Sequence, residues 1–172
     1  MNIKIKTPEE IEKIRKSASI LVEVMKKMKE MVKPGVKTID LDNWAEEFIL
    51  KAGGKPAFKG MYGFPATLCI SLNDEIVHGI PSDRKLKEGD LVSIDGGVKL
   101  NGWNSDMAIT LPVGEISPEA RRLMKCTKKA LKRGIKKSKV GNTFGDISNT
   151  IERYIESQNY GVIQNLCGHG IG

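Results

Sequence analysis

From Thr7 onward, Ile11, Ile14, Ile20, Leu21, Val24 and Met28 recur at helical intervals until Lys33-Pro34-Gly35 breaks the pattern, which gives a first helix one apolar face. Thr7 is a capping residue. Pro8 suits the first helical position, where an amide would have no partner, and Glu9 and Glu10 put negative charge at the positive end of the helix dipole. A second helix is predicted from Thr38 toward Gly53, with Leu41, Trp44 and Phe48 on one face. Between about Ala66 and Leu111 the period shortens to two and strands are expected. Ser117-Pro118-Glu119-Ala120 opens a third helix, Thr143 caps a fourth striped by Ile147, Ile151, Tyr154 and Ile155, and Gly161 to Leu166 reads as a final strand. Helices alternating with strands predict an α/β (α+β) chain, with no repeat, linker or low-complexity stretch.

Two of the apolar runs carry acids. Asp90-Leu91-Val92-Ser93-Ile94-Asp95-Gly96-Gly97-Val98 and Trp103-Asn104-Ser105-Asp106-Met107-Ala108-Ile109-Thr110-Leu111 are separated by Asn101-Gly102. Both turn residues tolerate the positive φ of a tight hairpin. If Asn101 and Gly102 are the turn, Leu100 faces Trp103, Asp95 faces Ala108, and Asp106 is the diagonal neighbour of Asp95 on one face. A four-residue loop sets the aspartates directly opposite, and only a three-residue loop parts them. Val92, Ile94, Met107, Ile109 and Leu111 fall on the other face as core, while Ser93, Gly97, Ala108 and Thr110 surround the acids with small or polar groups. Carboxylates this close repel unless a cation lies between them. An isolated aspartate ordinarily caps or solvates a strand end; the pair points instead to a divalent metal, for which His169 in Gly168-His169-Gly170-Ile171-Gly172 is a nitrogen donor.

Composition sets bounds on these readings. The 172 residues are 40% hydrophobic with a mean hydropathy of -0.28, enough for one core and a single domain over 1–172. Cys69, Cys126 and Cys167 are odd in number and lack short paired spacing, so neither a disulfide framework nor a thiolate zinc site is indicated, and a reducing cytoplasm fits. No apolar run approaches the roughly 20 residues that span a bilayer, and no signal-type stretch follows Met1, so no membrane partner is expected. The net charge of +7 gathers in Arg121, Arg122, Lys125, Lys128, Lys129, Lys132, Arg133, Lys136, Lys137 and Lys139, beside an apolar stripe of Leu123, Ala130, Leu131 and Ile135. Such a run is commonly a solvated face; the alternative is a surface for polyanions.

The runs Thr67-Leu68-Cys69-Ile70-Ser71-Leu72-Asn73, Val77-His78-Gly79-Ile80-Pro81, Gly89 to Asp95, Asn101-Gly102-Trp103 followed by Asp106, and Cys167 to Gly172 together resemble type I methionine aminopeptidase, in order and spacing, from near Thr7 to the last residue. The resemblance implies the pita-bread fold, here its N-terminal half plus part of its C-terminal half, and removal of initiator methionine from nascent proteins by a metal-bound hydroxide. It implies two divalent ions (Co, Mn, Fe or Zn), with Asp95 chelating one, Asp106 bridging both and His169 on the second. It makes His78 a substrate or intermediate contact; read without the resemblance, His78 is equally a turn histidine. Phe58, Met61, Phe64 and Cys69 would line the methionine pocket, although Met61 and Phe64 also suit ordinary core. Asn104-Ser105 stands where many relatives carry His-Gly. No residue here matches the family's two glutamate ligands or second substrate histidine. The expectation is therefore a monomeric catalytic domain incomplete at its C-terminus and weak or inactive by itself, with ribosome contact through 121–139. The alternative is a silent domain keeping a partial metal site and a basic surface. A proline-preferring peptidase of the same fold is disfavoured by the apolar lining.

Overall fold

A computed structural model describes residues 4–171. They divide into two compact units: one runs to Ile116 and takes in Gly170 and Ile171, and the other is Ser117–His169.

In the first unit, helix α1 (Pro8–Met31) starts on a capping box. Thr7 Oγ1 accepts from the Glu10 amide at 3.2 Å and the Glu10 carboxylate accepts from the Thr7 amide at 2.9 Å, satisfying donors the first turn leaves unpaired. Leu21, Val24, Met25 and Met28 are its buried apolar stripe, whereas Ile11, in the first turn, stays exposed. Helix α2 (Thr38–Lys51) begins where the spacing predicts. Thr38 Oγ1 donates to the Ser82 carbonyl and accepts the Ser82 amide, fastening the helix start to a loop. Trp44 and Phe48 stack with ring centroids 5.1 Å apart.

The sheet is antiparallel throughout. Strand β3 (Leu91–Leu100) is central: β4 (Trp103–Pro112) pairs along its whole length, while β2 (Leu68–Leu72) and the two-residue β1 (Lys55–Pro56) share its other side in series. The sequence pattern did not predict β1, whose brevity and proline give no alternation to read. Leu68, Ile70, Leu72, Val92, Ile94 and Val98 form a buried layer with Leu21, Val24, Met25 and Met28, and Met107, Ile109 and Leu111 pack against it. Gly96 sits in that layer because a Cβ there would lie 2.7 Å from Leu68 Cδ2 and 3.3 Å from Met25 Cε; its bareness lets α1 close on the sheet.

The second unit pairs α3 (Pro118–Lys137) with α4 (Phe144–Glu156). Ser117 and Thr143 cap them as predicted, Thr143 in a capping box with Asp146. The buried line on α3 is Cys126, Ala130 and Gly134, packed with Ile151, Tyr154 and Ile155. This corrects the predicted stripe: Leu123, Leu131 and Ile135 are exposed at 40%, 58% and 62%. Small residues four apart allow helix axes to approach, and a Cβ on Gly134 would already lie 2.9 Å from Ile151 Cδ1. The strand expected over 161–166 is also corrected. That segment has no regular structure, and Val162, Ile163 and Leu166 are exposed. An apolar run becomes a strand only when its amides and carbonyls meet a partner ladder, and among the described residues it has none.

Candidate metal centre

The hairpin turns through Asn101 and Gly102 with φ of 49° and 87°. Leu100 is opposite Trp103, Asp95 opposite Ala108, and Gly97 opposite Asp106. Because strand side chains alternate with period two, Asp95 and Asp106 share the face turned away from the core, as diagonal neighbours. Asp106, Ala108 and Thr110 are exposed on it and Asp95 is half-buried.

Two predicted pocket residues lie on that same face. Cys69 on β2 pairs with Asp95 from the side opposite β4. Its thiol is pushed up to about 12, first by burial and then by the negative charges of Asp95, Asp42 and Asp106, which oppose a thiolate. Phe58 covers Gly97: a Cβ there would lie 2.8 Å from Phe58 Cε1 and 2.9 Å from Ala57 Cβ, and the Ala57 amide donates to the Gly97 carbonyl at 2.9 Å. Gly97 thus makes room for an aromatic ring at the cross-strand partner of Asp106. Met61 and Phe64 belong to a tight turn closed by the Met61 amide on the Phe58 carbonyl and the Gly60 amide on the Phe64 carbonyl. Met61 is 53% exposed there, and Phe64 is half-buried.

His78 has a left-handed backbone, φ 59°, and is exposed. Gly79 seats it. The Gly79 carbonyl accepts the Ile70 amide at 2.8 Å, and the Gly79 amide donates to Ser71 Oγ at 3.0 Å. The loop therefore lies along the free edge of β2, next to the residues that follow Cys69.

His169 belongs to the second unit, exposed in a segment without regular structure. Among the described residues no group of three or more His, Cys, Asp or Glu side chains is gathered as a metal cluster. The donor pair still suits a hard divalent ion. Two carboxylates face one way from adjacent strands, and the charge that suppresses the Cys69 thiolate is charge a cation would offset.

Around the hairpin, the sequence did not single out Asp42 or Ser17, and it marked Asn104-Ser105 only as a departure from relatives. Asp42 on α2 is 4% exposed, and its Oδ1 accepts the Thr67 and Leu68 amides at 3.0 and 2.7 Å, pinning the start of β2. Burial holds its carboxyl above the ordinary range, against the lowering effect of those two amides. An acid at helical spacing with Thr38, Ala45 and Ile49 was the available signal. Ser17 and Ser105 meet beneath the hairpin with their hydroxyls 3.1 Å apart. Asn104 Nδ2 approaches the Ile171 carbonyl at 3.4 Å.

Comparison with known proteins places this geometry in a family. The chain matches metallopeptidase family M24 over residues 12–172, a family whose metallopeptidase chemistry implies divalent metal. A methionine aminopeptidase of Clostridium perfringens is 49% identical over 168 residues, covering 98% of this chain and 68% of the relative. The crystal structure of methionine aminopeptidase from Rickettsia prowazekii superposes with a TM-score of 0.97 at 37% identity, covering 99% of this chain and 69% of that one. Prolidase from Pyrococcus furiosus shares the fold at a TM-score of 0.83 and 29% identity, covering 91% and 45% of the two chains. The architecture is accordingly the pita-bread fold, in its N-terminal part. With that match over 12–172 and nearly half its residues shared with the Clostridium enzyme, the chain belongs to the methionine aminopeptidases of metallopeptidase family M24.

Proposed function

We propose that the protein acts on the N-terminal methionine of peptides and nascent proteins, with Asp95 and Asp106 as metal ligands and His169 as a further one. The observation that carries this reading is the shared hairpin face, on which the aspartates stand beside Cys69 and Phe58. A divalent ion, when bound, supplies Lewis acidity toward the scissile carbonyl and toward water. This chain's own residues do the rest. Asp95 and Asp106 fix the donor positions through the ladder. Phe58 and Cys69, with Met61 and Phe64, give a thioether an apolar and polarisable wall. His78, on a loop anchored at Ile70 and Ser71, would donate a hydrogen bond to charge developing on the substrate. Two ions of Co, Mn, Fe or Zn are the proposed complement, and the cytoplasm the proposed compartment.

Thermal unfolding with and without added Mn²⁺ or Co²⁺ tests the ligand assignment. The parent chain should be stabilised and Asp95→Asn and Asp106→Asn should not; equal stabilisation of all three rejects it.

A second reading concerns strength. Asp95, Asp106 and His169 match only part of the ligand set the resemblance implies, and the 172-residue chain is proposed to turn over substrate feebly or not at all. Brisk hydrolysis of a Met-Ala-Ser peptide by metal-loaded, peptidase-free protein would contradict that. The ten exposed basic side chains between Arg121 and Lys139 support a ribosome-facing surface. Co-sedimentation with ribosomes that survives reversal of four of them would remove it. A monomer is the proposed state.

A further inference from the structure

Ser105 is held through its hydroxyl on the core face of the sheet. On the core face, Ser17 of α1, with no exposed surface, donates to the Val98 carbonyl at 2.8 Å. Ser105 Oγ stands 3.1 Å from Ser17 Oγ and 3.5 Å from the same carbonyl. With one proton per hydroxyl, the pair reads as a relay in which Ser105 donates to Ser17 and Ser17 to Val98. The Ser105 carbonyl carbon is bonded to the Asp106 amide nitrogen, so whatever holds Ser105 also sets the start of the Asp106 backbone. Val98 is the cross-strand partner of Ser105, and Gly97 that of Asp106. The hydroxyl node therefore ties α1 to both hairpin strands at the register step where Asp106 leaves the ladder.

We infer that Ser105, through Ser17, is a positioning residue for Asp106. A residue tethered through its hydroxyl to α1 and to the facing strand fixes the peptide plane from which the next side chain projects. Asp106 projects on the exposed face of the hairpin, next along the strand from Ser105. The clamp narrows the directions its carboxylate adopts and so raises affinity for a divalent ion. This rests on the assignment of Asp106 as a ligand.

The test compares Ser105→Ala, Ser17→Ala and Asp106→Asn with Leu21→Ala, a core control one turn from Ser17 that lowers stability while leaving both hydroxyls in place. Hydrogen exchange of the 105–107 amides should quicken about 5-fold in the serine variants, as expected for losing one hydrogen bond. Mn²⁺ affinity, read by electron paramagnetic resonance, should fall about 10-fold in both, in line with outer-sphere partners of metal ligands, and stay at the parent value in Leu21→Ala. Ser105→Thr, which keeps the hydroxyl, should restore most of it. Unchanged exchange at 105–107 overturns the clamp whatever the metal does. Mn²⁺ binding lost in Asp106→Asn but intact in the serine variants, or weakened equally in Leu21→Ala, overturns the positioning role alone. Parent-like binding by Asp106→Asn, or none by the parent, overturns the ligand assignment and the inference with it.

Discussion

Replacing Gly79 by alanine isolates the seating of the His78 loop. A Cβ on Gly79 would lie 2.2 Å from the Ile70 carbonyl oxygen, 2.8 Å from its carbon and 2.9 Å from Ser71 Cα. Carbon and oxygen tolerate about 3.3 Å at closest, so the overlap is roughly 1 Å, and all three obstructing atoms are backbone. No rotamer relieves it. The φ of Gly79 lies outside the left-handed region, so the substitution tests contact alone. Relief requires the loop to lift from β2, giving up the bond from the Ile70 amide to the Gly79 carbonyl and that from the Gly79 amide to Ser71 Oγ. With Ser71 buried, two such losses cost about 2–4 kcal/mol, a drop in melting temperature of roughly 4–16 °C for a chain of this size. Urea or thermal unfolding of Gly79→Ala measures the loss, and hydrogen exchange at the Ile70 amide locates it. Stability within about 0.5 kcal/mol of the parent, the spread of an inconsequential surface change, with the Ile70 amide still protected, refutes the close approach and with it the placement of His78.

Asp42 gives a signed pH dependence. Its carboxyl is held above the model-compound value of 3.8 by burial, so the folded chain binds that proton more tightly than the unfolded chain does. Stability is lost as pH rises from about that value through the folded one. Asp42→Asn, which keeps an acceptor oxygen for the Thr67 and Leu68 amides, removes that loss, so its unfolding free energy relative to the parent should climb with pH over this window and then level. A flat or falling difference in urea titrations between pH 3.5 and 7 contradicts the buried-carboxylate account. With its thiol pushed up to about 12, Cys69 carries a thiolate fraction of roughly one in ten thousand at pH 8. Mass spectrometry after iodoacetamide treatment should find exposed Cys167 modified first and Cys69 only after unfolding; labelling of Cys69 at the rate of Cys167 goes against this. In the second unit, Gly134→Leu should force α3 from Ile151 and cost about 1–3 kcal/mol by overpacking, and a neutral result by chemical denaturation dismisses the close helix contact.

What the chain encodes locally was legible without coordinates. Helix starts at Thr7, Ser117 and Thr143 follow from side chains that reach an amide three residues on. The hairpin follows from Asn101-Gly102 accepting positive φ, and the common face of Asp95 and Asp106 from the two-residue period on either side of it. Each depends only on near neighbours in sequence. The resemblance supplied Phe58 and Cys69 as candidates, but their seats over Gly97 and opposite Asp95 depend on which strands meet in which register. Burial of Asp42, the meeting of Ser17 with Ser105 and the contact that forbids a side chain at Gly79 also join segments distant along the chain. The line of small residues facing α4 and the unpaired run over 161–166 reversed local expectations for the same reason. Hydrophobic pattern states that a side chain prefers to leave water, whereas the surface that receives it, and how closely backbones approach, is settled only when the elements pack.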